Sequence, residues 1–488
     1  MSEFPEKTLN LAQAVRDAGG RALLVGGCVR DRLMGREPKD WDLEVYGVQP
    51  AELRALLDRF GEVNVVGQAF TVYKLGSDLD VSMPRRERKS GRGHRAFVIE
   101  GDPSMSTEDA SRRRDFTINA ILQDPLTGEI IDHFGGRADI ESKILRAVAP
   151  ETFGEDSLRV LRAAQFAARF EFQIEPGTVA LCQEIDMSDL PAERLWAEME
   201  KLLLRARAPR KGLEWLRDLG ATRQLFPEIA ALAGCLQDKE WHPEGDVEIH
   251  TYLAVDRARE LIDDLPYPKK VTVMLGTLCH DFGKPATTEF LEGRLRSRGH
   301  EEAGVAPTSS FLDRLNIHTL DGYDVRGQVI ALVRDHLKPG EFFKKQHEVG
   351  DGAFRRLARK CELELLYRVA RADSLGRNAE WIPREKWFDA ESQEWFIAHA
   401  RELAVEERPP APILLGRHLL AMGLQPGPRI GEITRAIYEM QLDGRLTSLD
   451  DAKNMAKRIL SADYTDYPNQ GDQTTMVPSS DHDEESDS

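Results

Sequence analysis

The chain has 488 residues, too many for a single hydrophobic core, so two to four domains are expected. Its hydrophobic fraction of 41% is ordinary for a protein in water, and it holds no uninterrupted apolar run of about 18 residues, so no membrane span is expected. The net charge of −17 counts against a nucleic-acid partner until its distribution is read. Residues 463–488 contain eight acids and no lysine or arginine, whereas basic clusters stand at RRERKSGRGHR (85–95), SRRRD (111–115), RARAPRK (205–211) and RRLARK (355–360). A polyanion partner is therefore allowed. The five cysteines are scattered and form no CxxC pair, which fits a reducing compartment and argues against a disulfide framework or a zinc ribbon. With no signal-peptide pattern, a cytoplasmic location is the expectation.

In chain order, MSEFPEKTLNLAQAVRDAGG reads as an amphipathic helix. RALLVGG, WDLEVYGV, VNVVG, FTVYKLG, LDVSMP and GEIIDHF then read as short strands mixed with helices, up to about residue 150. From there SLRVLRAAQFAARF, AERLWAEMEKLLLRA and PRKGLEWLRDLGA place apolar residues at helical spacing, and strands become scarce. After the joint WHPEGDVEIH, helices continue to about residue 377, and a last segment, 409–460, carries the turn GLQPGPRIG between helical patterns. The terminal YTDYPNQGDQTTMVPSSDHDEESDS is polar and acidic, and cannot bury enough surface to offset its ordering entropy.

The chemistry begins at LLVGGCVRDRLMGREPKDWDLEVYG (23–47). Residues i and i+2 of a strand share a face, so Asp40 and Asp42 are expected to project side by side. Two such carboxylates are costly without a cation, and hard oxygen ligands suit Mg2+. Gly26 and Gly27 allow close backbone approach to a ligand, a helix beginning near Val29 turns its N-terminus to a phosphate, and Arg30 offers a bidentate phosphate donor. Together these make a nucleotidyl-transfer site.

This stretch resembles the signature of class II tRNA nucleotidyltransferases and bacterial poly(A) polymerases, of the DNA polymerase β-like superfamily. SRRRDFTINAILQDPLTGEIIDHFGGRADI resembles that family's RRDFTxNA element and its following strand. The resemblance implies that Arg114 and Asp115 hold the ribose of the incoming nucleotide, with Asn119 in the same element. GEDSLRVLRAAQFAARF resembles the family's EDxxRxxR motif. On a helix, Asp156, Arg159 and Arg162 would fall near one face, and the resemblance implies that Asp156 and Arg159 read the base edge of CTP or ATP. A carboxylate accepts the exocyclic amino proton that C and A possess and U lacks. Asp80, in LDVSMPRRERK, is a candidate third carboxylate on a neighbouring strand. RRERKSGRGHR resembles the flexible basic loop of bacterial members, and AERLWAEMEKLLL resembles the neck helix.

A second constellation follows: His250, His280-Asp281, His300, His336 and Asp373. Histidines and carboxylates ligate divalent metals, and the order H…HD…H…H…D resembles the HD phosphohydrolase superfamily. This implies metal-assisted hydrolysis of a phosphomonoester or a 2′,3′-cyclic phosphate by a divalent transition metal, with Lys284 assisting phosphate binding. The final ordered segment resembles the C-terminal arm of HD-containing tRNA nucleotidyltransferases, with GLQPGPRIG as an RNA contact. His418 stands where that pattern usually has an acid.

The expected fold is α+β: a polymerase β-like head (1–150), a helical neck with a base-selecting helix (151–230), an HD domain (231–377), a tRNA-binding arm (378–462) and an acidic disordered tail (463–488). The expected activity is addition of C, C and A to tRNA from CTP and ATP, with an attached phosphohydrolase. Open alternatives are a CC-adding or A-adding partial enzyme, a poly(A) polymerase, and an HD hydrolase whose head only senses nucleotides.

Overall fold

The computed structural model describes residues 4–66, 72–89 and 97–461. The acidic tail and the tip of the basic loop, 90–96, lie outside the described residues. Two compact units divide the chain: residues 1–344 with 364–397, and residues 345–363 with 398–488.

The first unit begins with helix Glu6–Asp17 and then, in order, strand β1 (Arg21–Val25), helix Gly27–Leu33, β2 (Trp41–Tyr46), helix Pro50–Leu57, β3 (Val63–Val66), β4 (Val72–Leu75), β5 (Leu79–Ser82), β6 (Arg85–Lys89), β7 (Phe97–Gly101), helix Thr107–Arg112, β8 (Leu122–Gln123) and β9 (Ile130–Ile131). Seven strands form one mixed sheet in the order β3-β4-β5-β2-β1-β8-β9, in which only β2 and β5 run parallel. All six strands expected in the head are there. The expected loop RRERKSGRGHR begins instead as β6, paired antiparallel with β7. Its partner FVIEG is rich in β-formers, and a two-stranded ribbon tolerates charged residues that a buried strand does not.

Alternation explains which residues face which core. Along β2, Trp41, Leu43 and Val45 enter the main cluster with Leu11, Val15 and Leu53 from the two flanking helices. Asp42 and Glu44 then fall on the opposite face. There a smaller cluster of Leu23, Val25, Tyr46, Met105, Ala110 and Leu122 covers only part of the sheet. The uncovered part is the floor of a cleft.

The chain then becomes helical. Helix Arg159–Phe170 packs on Ala192–Arg205 and Pro209–Asp218, and helices Val247–Glu260, Tyr267–Cys279, Val325–Asp335 and Leu363–Gly376 build the following body. At Gly283 a Cβ would stand 2.0 Å from the carbonyl oxygen of His300, so only glycine lets the His280–Asp281 turn meet the His300 turn.

The second unit takes in residues 345–363, which fall within the expected bounds of the HD domain, and the expected arm only from residue 398, since 378–397 belong to the first unit. Its core is Leu414, Leu419, Ile433, Ile437, Leu446, Ala452, Ala456 and Ile459. Arg356 and Arg359 reach Glu439 at 2.9 and 2.6 Å. His418 acts on its own helix, where its Nδ1 accepts the Leu415 backbone N–H at 3.1 Å at the start of Gly416–Ala421. The turn GLQPGPRIG runs into helix Pro428–Leu442.

Candidate active sites

The head cleft encloses about 590 Å³. Gly26, Gly27, Arg30, Asp42, Arg114, Asp115, Asn119, Asp156, Arg159 and Arg162 all line it, ten of the twelve head residues expected at the nucleotide. Asp40 and Asp80 are not among the lining residues. Asp40 is exposed and lies just before β2, so the pair that the strand itself aims into the cleft is Asp42 and Glu44. Asp80 stands in register with Asp42 on β5, with its carboxylate 3.3 Å from Lys74. Burial pushes the Asp42 carboxyl above its usual range, and the charges of Asp80 and Asp40 push the same way, against Arg114. Three carboxylates gathered with so little compensation are the donor set a hard divalent cation takes.

Gly26, at φ +69°, turns the chain from β1 into helix Gly27–Leu33, which begins two residues earlier than expected. A side chain there would come within 3.1 Å of the Arg114 guanidinium. Arg30 is buried and committed: its guanidinium donates to Asp31 at 2.7 and 2.8 Å and to Asn119 at 2.7 Å. Asn119 in turn donates to Asp115 at 2.9 Å. In this structure Arg30 therefore steadies the element that carries Asn119 and Asp115 rather than offering a bidentate fork to a phosphate.

Asp115 is the hub of the cleft. It accepts from the Phe116 backbone, Asn119 and Arg162, the last at 2.8 Å. Burial alone would raise its pKa, but Arg162 and these hydrogen bonds outweigh it and hold the carboxyl below its usual range. The expected single helix face for Asp156, Arg159 and Arg162 is not what forms. Asp156 precedes helix Arg159–Phe170, where its Oδ1 accepts the Leu158 N–H, and its Oδ2 pairs with Arg194 at 2.9 Å. Arg159 donates to the carbonyls of Arg113 at 2.7 Å and Thr152 at 3.1 Å. Both still line the cleft, Asp156 from the turn that precedes the helix and Arg159 from its first residue.

Sequence reasoning missed Glu44, Gln165, Phe166, Arg169 and Lys201, which also line the cleft. Two signals were available. Glu44 continues the alternation of β2, and Gln165 and Arg169 lie three and seven residues beyond Arg162, on the same helical face.

The second site collects all six expected metal-ligating residues. His280 and His336 each stand directly after a helix, where their Nδ1 donates to the carbonyl three residues earlier, Thr277 at 2.6 Å and Val333 at 2.7 Å. These are carbonyls that a helix C-terminus leaves open. His300 does the same to Ser297 at 2.7 Å. With Nδ1 carrying the proton, each Nε2 is a bare lone pair. Nε2 of His280 lies 3.3 Å from Nε2 of His250, and Nε2 of His300 lies 3.2 Å from Nε2 of His336. Asp281 joins the pairs: its Oδ2 is 3.2 Å from His280 and its Oδ1 is 3.5 Å from His300. Asp373 stands 3.0 Å from His250. Acceptors facing acceptors in a buried space fit divalent metal, and the shared Asp281 fits two ions as readily as one.

Glu244 and His242, unassigned by sequence, border this set. Glu244 Oε1 lies 2.9 Å from His242 Nδ1 and 2.7 Å from His250 Nδ1. Burial opposes the charge on His250, yet Asp373 and Glu244 lift its pKa to about 9, whereas burial drives His336 down to about 3. Lys284 is buried with its Nζ 2.7 Å from both Asp281 Oδ2 and Gln237 Oε1. The site opens into a second cleft, of about 560 Å³, bordered by Trp241, Lys344 and Arg377.

Comparison with known proteins agrees with this division. Residues 22–146 match the family described as "Poly A polymerase head domain", residues 171–232 "Probable RNA and SrmB- binding site of polymerase A", and residues 247–378 "HD domain". The multifunctional CCA protein of Xanthomonas campestris pv. campestris (strain B100) is 38% identical over 423 residues, 84% of this chain and 95% of that protein. That of Stenotrophomonas maltophilia (strain K279a) is 39% identical over 72% of this chain and 86% of its own length. Among solved structures, the Bacillus stearothermophilus CCA-adding enzyme in complex with CTP is similar in fold, with a TM-score of 0.61 at 20% identity over 93% of this chain and 98% of that one. The Thermotoga maritima CCA-adding enzyme complexed with tRNA gives 0.57 at 19% identity over 93% and 95%. No helix among the described residues is long and apolar enough to cross a membrane. The chain belongs to the multifunctional CCA protein family, nucleotidyltransferases in which a poly(A) polymerase head, an RNA-binding neck and an HD domain follow one another along one polypeptide.

Proposed function

We propose that the head adds CMP and AMP to the 3′ end of tRNA from CTP and ATP, releasing pyrophosphate, and that the HD domain hydrolyses phosphoesters. The observation that carries the first reading is that one cleft is lined by Asp42, with Asp80 in register beside it on β5, and also by Asp156 and Arg159. The names of the relatives support it.

Asp40 and Asp42 would hold Mg2+, which when bound lowers the pKa of the attacking 3′-hydroxyl and neutralises charge on the reacting phosphate. The rest is the work of the chain. Gly26 and Gly27 leave room for the triphosphate, and Arg114, held near Glu44, faces it. Asp115, kept ionised by Arg162 and oriented by Asn119, accepts from the ribose hydroxyls. The carboxylate of Asp156 accepts the exocyclic amino proton of C or A, while the Arg159 guanidinium donates to the ring acceptor. U and G then leave buried polar groups unpaired. Arg194 fixes Asp156 in place, so base choice is set by protein geometry without a nucleic-acid template. GLQPGPRIG and the basic clusters bind tRNA by phosphate and shape.

In the HD domain His250, His280, Asp281, His300, His336 and Asp373 would hold one or two divalent transition metals, which supply an activated water for attack on phosphorus. Lys284, bound to Asp281 and Gln237, is placed to meet the phosphate and to hold the charge of Asp281.

The test is single-nucleotide extension of tRNA transcripts ending at the discriminator base, at C and at CC, with each NTP. Extension in the order CTP, CTP, ATP is expected. Arrest after CC, or extension of the CC-ended substrate alone, would make this a partial enzyme, and long A-tails on any RNA would make it a poly(A) polymerase.

A further inference from the structure

Strand β2 places Asp42, Glu44 and Tyr46 on one face, two residues apart. The reaction derived above uses only Asp42. Glu44 is the odd member: its side chain is 12% exposed, yet it lines a cleft whose ligand is anionic. Burying a carboxylate there costs free energy, and the sheet does not ask for one, since its neighbours in register are Leu23 on β1 and Ser82 on β5. Both of its oxygens are committed. Oε2 accepts the Tyr46 hydroxyl at 2.5 Å, and Oε1 faces Nη2 of Arg114 at 3.7 Å. Tyr46 is itself buried, its ring packed in the small cluster with Leu23, Val25, Met105 and Ala110. A packed ring therefore aims its hydroxyl at Glu44 and fixes that side chain. Burial and the Glu44 charge both push the hydroxyl's pKa up, so it stays a donor.

Arg114 is the group this arrangement serves. Its Nη1 lies 3.1 Å from where a Cβ on Gly26 would stand, so the guanidinium lies across the glycine turn. Its Nε is a buried donor with no hydrogen-bond partner among the described residues. Such a donor costs free energy until a ligand takes it. Asp42 also attracts Arg114, but toward the carboxylates that suit a cation. Glu44 draws it the other way, from a position about 7 Å further along the strand. We infer that Glu44, locked by Tyr46, is a positioning residue of the head: its charge holds the Arg114 guanidinium across the glycine turn, away from Asp42, with Nε open to the incoming nucleotide. In this role Glu44 touches neither the base nor the reacting atoms. This deepens the nucleotidyl-transfer reading and rests on it.

The experiment measures CTP binding to the full chain in Mg2+, without tRNA, as a double-mutant cycle. Glu44→Gln keeps the shape and the acceptor for Tyr46 but removes the charge, and is expected to weaken CTP about fivefold. Tyr46→Phe removes only the lock, with an expected loss of about twofold to threefold. Arg114→Ala is expected to weaken CTP about tenfold to a hundredfold. Because Glu44 acts through Arg114, Glu44→Gln and Tyr46→Phe should each add less than about twofold once Arg114 is alanine. In CMP addition the Glu44→Gln loss should sit in KM, with kcat within about twofold. The same fold loss in both backgrounds would mean that Glu44 reaches the nucleotide by another route, and would overturn the assignment. The Tyr46→Phe arm decides the same point where Glu44→Gln does not fold. A rise of about tenfold in the Mg2+ needed for half-maximal CTP binding would make Glu44 a metal ligand, and also overturn it. Failure of the unsubstituted chain to bind CTP would overturn the nucleotidyl-transfer reading, whereas normal CTP binding in Glu44→Gln would sink only this inference.

Discussion

The head cleft and the HD cavity use the same residue types in opposite ways. In the head, the central carboxylate, Asp115, is neutralised by protein: Arg162, Asn119 and a backbone N–H converge on it, and its pKa falls. What remains uncompensated is a surplus of guanidinium at one end and a knot of carboxylates at the other. Such a cavity is complementary to a ligand that is anionic along its length and carries its own cation at one point. In the HD cavity the histidine protons are turned outward to carbonyls or to Glu244, and the inward atoms are lone pairs and carboxylate oxygens facing one another. The inner end of that cavity is complementary to cations, while Lys284, Lys344 and Arg377 line the cleft it opens into. The charge a site lacks, read from which atoms have partners, therefore says more about its ligand than the residues it contains.

Substitutions separate the two cavities. Asp115→Asn should have the largest effect on stability, because Arg162, half-buried beside Glu198, loses its main partner. A loss of roughly 3 kcal/mol of stability in denaturant melts is expected, with nucleotide addition down about a hundredfold by kcat/KM. An unchanged melt would mean that the pair is not the hub of the head. In the HD cavity, Glu244→Gln removes the charge behind His250 while keeping its shape. Metal affinity, measured by Co2+ titration with excess Mg2+ present to occupy the head, should fall about tenfold to a hundredfold. Arg159→Lys probes the base-reading end of the head. Without a planar fork, discrimination of CTP over UTP should drop about tenfold, with kcat for CTP less affected.

The smallest effect is a pH dependence. The Asp115 pKa is lower in the folded chain than its ordinary 3.8, so its ionised form favours folding. That contribution is fully present above about pH 4 and is lost as pH falls through the lowered folded value. The stability gap between the parent chain and Asp115→Asn should therefore stay constant from neutral pH to about 4 and close below it. A gap that widened in acid would contradict the sign.

Much of this was legible in the sequence because the motifs are local. LVGGCVRD places a strand, a positive-φ glycine and a helix within eight residues, and the H…HD…H…H…D order survives as a single cavity. What was not legible depends on partners far apart in the chain. Arg30 meets Asn119 across 89 residues, and Asp115 meets Arg162 across 47, so two arginines expected at the nucleotide also hold protein partners that no local spacing reveals. Asp156 looked helical because its spacing to Arg159 is helical, yet its carboxylate accepts the N–H two residues ahead and closes a local turn before the helix begins. The basic stretch 85–89 reads as loop by composition, and only its partner β7 makes it a strand.

Reciprocal inactivation in one preparation tests whether the two sites are separate. Asp42→Asn and Asp281→Asn are each assayed for CMP addition to a tRNA transcript and for metal-dependent release of phosphate from a nucleoside monophosphate. Asp42→Asn is predicted to lose addition by roughly a thousandfold and to keep phosphate release within about twofold, with the reverse for Asp281→Asn. Loss of both activities in either variant, or of neither in both, would contradict the account.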